Sequence, residues 1–387
     1  MSRFNAILLL LVASLASPAF SADPPARTTV PGDEIDPLTG LARTTVVRPY
    51  SDPTAPPNGA TLAPLVAKPH VALILPTASP ALGGLAEAVK AGFMAAADGA
   101  GRDSVPVVVM PVDNESGALV LACKLAQQAG AVLVVGGFTR DGAQTLVTSE
   151  CAKQPVLALN ELRGEPGKGV YSFSLSLENE ARQAALLAVA DGLHSAIVIG
   201  SPSPLSKRVQ EAFEREWTRA AGELRRTSFS GNPDDAPAVR DKIANMRGDM
   251  VFFALGQDEA RAVRPYVTGM LPVYATSLSV NPRAEAIVNV DLQGVRYMDM
   301  PWFVQPDHPA VMAYPAPKGS FSVESERLYA FGIDAFRLAL IIARGDPSRT
   351  AVDGVTGRIT LEGGHFQRAL AAAEIDGGRV IPLRPTQ

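Results

Sequence analysis

From residue 70 onward, hydrophobic positions fall into short unbroken runs rich in Val, Ile and Leu, each followed by a segment with the spacing of an amphipathic helix. Runs over 70–75, 105–112, 131–136 and 155–159 predict strands, and the stretches 82–97, 116–129 and 142–149 between them predict helices. Unbroken apolar runs suit strands covered on both faces, and their alternation with helices is the βαβ signature of a parallel sheet. A second cycle follows. Strands are predicted over 171–176, 196–200, 224–229, 250–255, 271–276 and 294–298, and helices over 178–193, 205–221, 235–246 and 259–268.

The pattern predicts an α/β fold, two doubly wound parallel-sheet lobes joined by a hinge. Lobe 1 spans 70–172 and lobe 2 spans 173–301. The rhythm then breaks into a long helix over 322–344 and three strand-like stretches at 357–361, 367–374 and 379–383. These predict a return to lobe 1 over 302–346 and to lobe 2 over 347–387, so that three chain crossings form the hinge. Ligands in such sheets bind in the crevice at the carboxyl ends of the strands.

The first residues have a different character. Arg3, an apolar stretch over 6–16 and the small residues Ala19 and Ser21 predict a signal peptide over 1–21, cleaved before Ala22, and hence export to the periplasm. Residues 22–69 contain ten prolines in 48 positions, too little apolar surface to offset the entropy of ordering, and are expected to form a disordered leader. Later apolar runs are strand-sized, so no transmembrane span is expected. No cysteine lies near the cleavage point to accept a lipid. In an oxidising compartment Cys123 and Cys151 are expected to form a disulfide, the alternative being two buried thiols.

With 35 basic and 39 acidic residues the formal net charge is −4, which offers no basic footprint for nucleic acid. The chain has no Walker A loop, no G-x-S-x-G elbow, no G-x-G-x-x-G after a strand and no H-E-x-x-H. His70, His194, His308 and His365 fall in four separate elements without metal-ligand spacing. Neither an enzyme nor a metal or other cofactor is expected.

Candidate binding residues are therefore sought in the loops after strands. Thr77, Ser79, Gly137, Thr139 and Asn160 stand on the first lobe, facing Ser201, Gln257 and Ser277 on the second. Hydroxyls ahead of a helix favour anions, and glycine permits close backbone approach. The same residues also suit ordinary strand-to-helix turns. Glu178, Glu180 and Arg182 follow Ser174-Leu175-Ser176 at the expected lobe junction, where they are hinge candidates or complements of a helix dipole. Trp302, in Asp299-Met300-Pro301-Trp302-Phe303, is either a core anchor at the return crossing or an interface residue.

Several stretches are similar to those of the penicillin-binding-protein activator family, the LppC/LpoA-type lipoproteins. Val71-Ala72-Leu73-Ile74-Leu75-Pro76 and Val134-Val135-Gly136-Gly137 are generic to the fold. The more specific ones are Leu157-Ala158-Leu159-Asn160, Tyr274-Ala275-Thr276-Ser277, Asp299-Met300-Pro301-Trp302 and Tyr329-Ala330-Phe331-Gly332-Ile333-Asp334-Ala335, which Arg327-Leu328 precede in the same similar stretch. The resemblance runs from about residue 69 to the C-terminus. It implies a type I periplasmic-binding-like fold that performs no reaction of its own and stimulates a class A penicillin-binding protein, the bifunctional peptidoglycan synthase. The chain departs from the family pattern in lacking a lipobox cysteine and in carrying the proline-rich segment where a helical-repeat domain is expected. The alternative function is a solute-binding or sensor protein that closes on a small polar ligand, an amino acid or a cell-wall fragment.

Overall fold

A computed structural model describes residues 68–383 except 102–103, 221, 268–270, 346 and 348–350; the expected signal peptide and all but the last two residues of the proline-rich leader lie outside the described residues. The first lobe opens with β1 (His70–Leu75), α1 (Gly83–Gly99), β2 (Val107–Pro111), α2 (Gly117–Gln128), β3 (Ala131–Gly136), α3 (Arg140–Thr148), β4 (Val156–Ala158) and β5 (Val170–Phe173). The second continues with α4 (Leu177–Ala190), β6 (Ser195–Gly200), α5 (Pro204–Arg219), β7 (Glu223–Ser228), α6 (Ala236–Ala244), β8 (Met250–Ala254), α7 (Gln257–Val263), β9 (Val273–Thr276), α8 (Ala286–Asn289) and β10 (Val295–Asp299). The remainder comprises α9 (Pro301–Val304), α10 (Pro309–Met312), α11 (Val323–Ala343), β11 (Val352–Asp353), β12 (Arg358–Glu362), β13 (His365–Ala369), β14 (Ala371–Asp376) and β15 (Arg379–Pro382).

The chain builds two sheets, ordered β11-β12-β13-β5-β4-β3-β1-β2 and β15-β14-β10-β9-β8-β6-β7. Both are parallel in their centres and antiparallel among the C-terminal strands. Strands β1 and β8 are buried along their whole length, as their unbroken apolar sequences require. Each sheet carries a core on both faces.

The C-terminal return differs from the sequence expectation in one respect. Residues 347–387 do not go to lobe 2 as a block: β11, β12 and β13 join the first sheet, and only β14 and β15 join the second. The single strand expected over 367–374 is broken at Leu370. Gln183 on α4 bridges the break: its side chain donates to the Arg368 carbonyl (2.8 Å) and accepts from Leu370 N–H (2.8 Å). Those backbone groups, lost from one ladder before the next begins, are thereby satisfied.

In the first lobe α1 and α11 cross in backbone contact. A Cβ on Gly92 would stand 1.8 Å from the Tyr329 carbonyl oxygen, and one on Gly332 would stand 2.1 Å from that of Val89. Phe331 stacks on Phe173 at 4.8 Å, fastening α11 to the sheet. Cys123 and Cys151 form a disulfide that ties α2 to the turn after α3. Among the described residues no helix is long and apolar enough to cross a membrane.

Candidate functional site

The three crossings between lobes pass through a cluster of buried charge. At the first, Ser176 caps α4 by accepting from Asn179 N–H (3.2 Å), which places Glu178 and Glu180 in the first turn. Glu180 is buried and accepts from Ser277 N–H at 3.0 Å. At the second, Asp299 pairs with Arg327 of α11. At the third, the buried Arg368 donates to the carbonyls of Ser174 and Thr356, both at 3.1 Å. Asp334 closes the cluster, accepting from the backbone and hydroxyl of Thr356 (2.7 Å each) and from Arg337 (3.1 Å). Burial, aided by the neighbouring Asp299 charge, raises the Glu180 carboxyl, and burial also raises that of Asp334. Arg327 is shifted upward, since the charge of Asp299 and its hydrogen bond override desolvation.

Trp302 lies in this core: it is 4 % exposed, packs on Tyr329 and donates its indole N–H to Glu326 (2.8 Å). Glu326 also holds Arg283 from the second lobe (Nε–Oε2 3.0 Å). Phe303 lies between Arg283 and Arg327, whose guanidinium carbons stand 4.9 and 4.8 Å from its ring centre.

The crevice itself is spanned by a second set of ions. Arg140 on α3 reaches Glu178 across the lobes (2.9 Å) and Glu161 on its own side (3.2 Å), and Arg208 on α5 adds a 3.0 Å contact to Glu178. Beneath them lie cavities of about 280 and 360 Å3. Leu175, Leu177, Leu205 and Leu328 line both, so apolar side chains divide the crevice.

The loops expected to offer free donors are already occupied by the chain's own groups. The Glu115 carboxylate accepts from Phe138 N–H (2.6 Å) and Thr139 N–H (2.7 Å), the place an anion would take before α3. Glu259 accepts from Gly256 N–H (2.8 Å), Glu180 from Ser277 N–H, and the Ser206 hydroxyl from Ser201 N–H (2.8 Å).

Of the residues singled out in the sequence, Asn160, Gln257 and Ser277 line the crevice cavities, and the Asn160 amide is spent on the Phe138 carbonyl (2.7 Å). Thr139 caps α3 through Gly142 N–H (2.9 Å). Gly137 has φ +69°, and a Cβ there would meet Ala143 Cα at 2.6 Å, so glycine serves the turn. Thr77 and Ser79 form the turn before α1 and line neither cavity. Ser201 is buried at the end of β6, and Arg182 faces a smaller side pocket. Sequence reasoning missed Glu115, Arg140, Arg208 and Arg368, whose partners lie far along the chain. Asp299, Arg327 and Asp334 stood inside stretches noted for the family resemblance, without a role assigned to them. Among the described residues no group of three or more His, Cys, Asp and Glu is placed to hold a metal.

The model of the family described as "LppC putative lipoprotein" matches residues 63–376. The penicillin-binding protein activator LpoA of Haemophilus ducreyi is 28% identical over 281 residues, 70% of this chain and 46% of that protein. The protein of the same name from Escherichia coli K12 is 25% identical over 319 residues, 70% of this chain and 47% of its own length. The chain thus spans about half the length of the curated relatives it matches. Among solved structures, the C-domain of Haemophilus influenzae LpoA, described as a regulator of PBP1A, superposes with a TM-score of 0.67 at 22% identity, covering 81% of this chain and all of that one. A Chromobacterium violaceum protein described as a putative branched-chain amino acid ABC transporter gives 0.69 at 36% identity, over 79% of this chain and all of that one.

Proposed function

We propose, on the premise that the chain belongs to the LppC family, that it is a non-enzymatic regulator of peptidoglycan synthesis that works in the periplasm by binding and activating a class A penicillin-binding protein. The observation that carries this reading is the self-occupied crevice. Glu115, Glu259 and Glu180 take up backbone donors that a receptor for a small polar solute keeps free, and four leucines divide the space between the lobes. Ion pairs on two sides, Arg140–Glu178 and Arg283–Glu326, hold the lobes together. A body so fastened presents a fixed outer surface, which suits recognition of a protein partner without rearrangement. The partner class follows from the names of the matched relatives.

The test is reconstitution. Purified chain added to a class A penicillin-binding protein is expected to crosslink to it and to raise its transglycosylase or transpeptidase rate to a plateau. Absence of both effects overturns the reading. A second reading, a solute-binding protein that closes on a small polar ligand, draws on the likeness to the Chromobacterium protein. It requires a ligand in native mass spectra, or a thermal shift with amino acids or muropeptides, that is lost on Asn160→Ala and survives Arg182→Gln.

A further inference from the structure

A smaller polar pocket of about 220 Å3 lies beside the crevice at the first crossing, bordering it along Ser174 and Ser176. Ser172 and Ser174 occupy alternate positions of the chain leaving β5, and His365 and Gln367 occupy alternate positions of β13. The parallel pairing His365↔Ser172 sets the two strands side by side, and the two-residue period of extended chain turns each pair to one face. Arg182, one residue before the crossing glutamine of α4, completes the wall.

Arg182 differs from most arginines near the hinge; Arg368, on the same pocket wall, also meets no carboxylate among the described residues but is spent on the Ser174 and Thr356 carbonyls. Arg140, Arg208, Arg283, Arg296 and Arg327 each meet a carboxylate. Arg182 is half-buried, makes one long hydrogen bond to Asn179 Oδ1 (3.5 Å), and has no carboxylate within 4.0 Å among the described residues. Ser174 and Gln367 side chains likewise have no protein partner there, whereas Ser172 is engaged with His365 Nδ1 (2.7 Å). A partly desolvated guanidinium without a counter-charge, next to uncommitted hydroxyl and amide donors, is a site waiting for an anion.

We propose that this pocket binds a small monocarboxylate, held by the Arg182 guanidinium with the Ser174 hydroxyl and the Gln367 amide. The Arg368 charge on the same wall is offset by the nearby Glu180, Asp299 and Asp334 carboxylates, which leaves the Arg182 charge to match one negative charge, and its planar guanidinium fork matches a planar carboxylate. Glu161 on the rim, already paired with Arg140, disfavours a dianion. The volume suits a molecule of amino-acid size, below the range of about 300–1,000 Å3 usual for larger ligands. Because Ser174 lies on the first crossing and Gln367 just before the third, the bound carboxylate bridges two hinge strands.

The inference stands independently of the activator reading and is tested by calorimetric titration of the full chain with acetate, N-acetylglycine, N-acetylglycine amide and inorganic phosphate at constant ionic strength. N-acetylglycine is expected to bind saturably in the millimolar range or tighter and its amide not at all. Arg182→Gln is expected to weaken binding by about tenfold or more, the worth of a charge-assisted hydrogen bond. Ser174→Ala, which leaves every charge in place, is expected to weaken it less and keeps the test open should the arginine variant misfold. No saturable carboxylate binding, equal binding of the amide, tighter binding of phosphate, or unchanged affinity in both variants overturns the proposal.

Discussion

Arg327 of α11 grips Asp299 at the end of β10 as a fork, with Nη2 to Oδ2 at 2.8 Å and Nη1 to Oδ1, and so joins the two lobes where the chain crosses for the second time. Asp299 is fully buried and also accepts from Met300 N–H (2.7 Å). Removing one partner leaves a buried charge uncompensated. Asp299→Ala is therefore expected to cost about 3–5 kcal/mol by urea denaturation. The double variant with Arg327→Met is expected to lose clearly less than the sum of the two single losses. Additive losses would show that the pair is not coupled.

Glu115 stands in for a ligand at the start of α3, accepting two backbone N–H groups. Glu115→Ala strips both donors of their partner and is expected to destabilise the first lobe by about 2 kcal/mol, within the range for hydrogen bonds to a charged group. Acetate or formate is expected to recover part of that loss in a thermal melt. The same salts are expected to leave the unmodified chain unchanged at this loop, which can be followed by the protection of Phe138 and Thr139 amides in hydrogen exchange.

Burial alone would raise the Glu178 carboxyl, but a hydrogen bond from its own backbone and the guanidinium groups of Arg140 and Arg208 override it and hold the group below the ordinary carboxylate range. A lowered folded-state value gives stability that is present above the unfolded value, about pH 4.3, and is lost as pH falls through the folded one. Glu178→Gln is thus expected to be less stable than the parent at neutral pH, with the gap in urea melts closing as pH falls below the ordinary carboxylate range. Glu180 is raised and has the opposite sign: its burial cost is present above its folded value and relieved on acidification. Glu180→Gln is expected to flatten that rise, not to steepen it.

The α1–α11 crossing has no room for a methyl group. Gly332→Ala would drive Cβ against the Val89 carbonyl and Phe93 N–H, backbone atoms that cannot rotate away. An expected loss of about 2–3 kcal/mol or more follows, at the upper end for overpacking, read as a lowered urea midpoint with an unchanged slope. Gly84→Ala on the same helix α1 meets nothing within 4 Å and serves as the control.

The disulfide closes a loop with a sequence separation of 28. Replacing both cysteines by alanine is expected to lower stability by about 3.5 kcal/mol through the greater freedom of the unfolded chain. Both cysteines are essentially buried, so reduction of the folded protein by dithiothreitol is expected to be slow and to accelerate in urea below the unfolding midpoint. Rapid reduction without urea would contradict this.

Local pattern determined a good deal of this protein. Unbroken runs such as 70–75 and 250–255 can be buried only between helices, so the two parallel sheets were legible in the sequence, and the expectation of export made the cysteine pair readable. The motif Tyr329-Ala330-Phe331-Gly332-Ile333-Asp334-Ala335 was visible as a string, but its meaning lay in three dimensions: Tyr329 against Trp302, Phe331 on Phe173, Gly332 against α1, and Asp334 holding the turn at Thr356. Tertiary structure alone decided that 365–369 and 371–376 belong to different sheets, because the side chain that satisfies the backbone between them, Gln183, lies nearly half the chain away. It alone decided that the loops resembling ligand-binding turns are filled by Glu115, Glu180 and Glu259. A helix start reads the same in sequence whether its free N–H groups await a ligand or already hold a carboxylate, and only the fold brings that carboxylate into place.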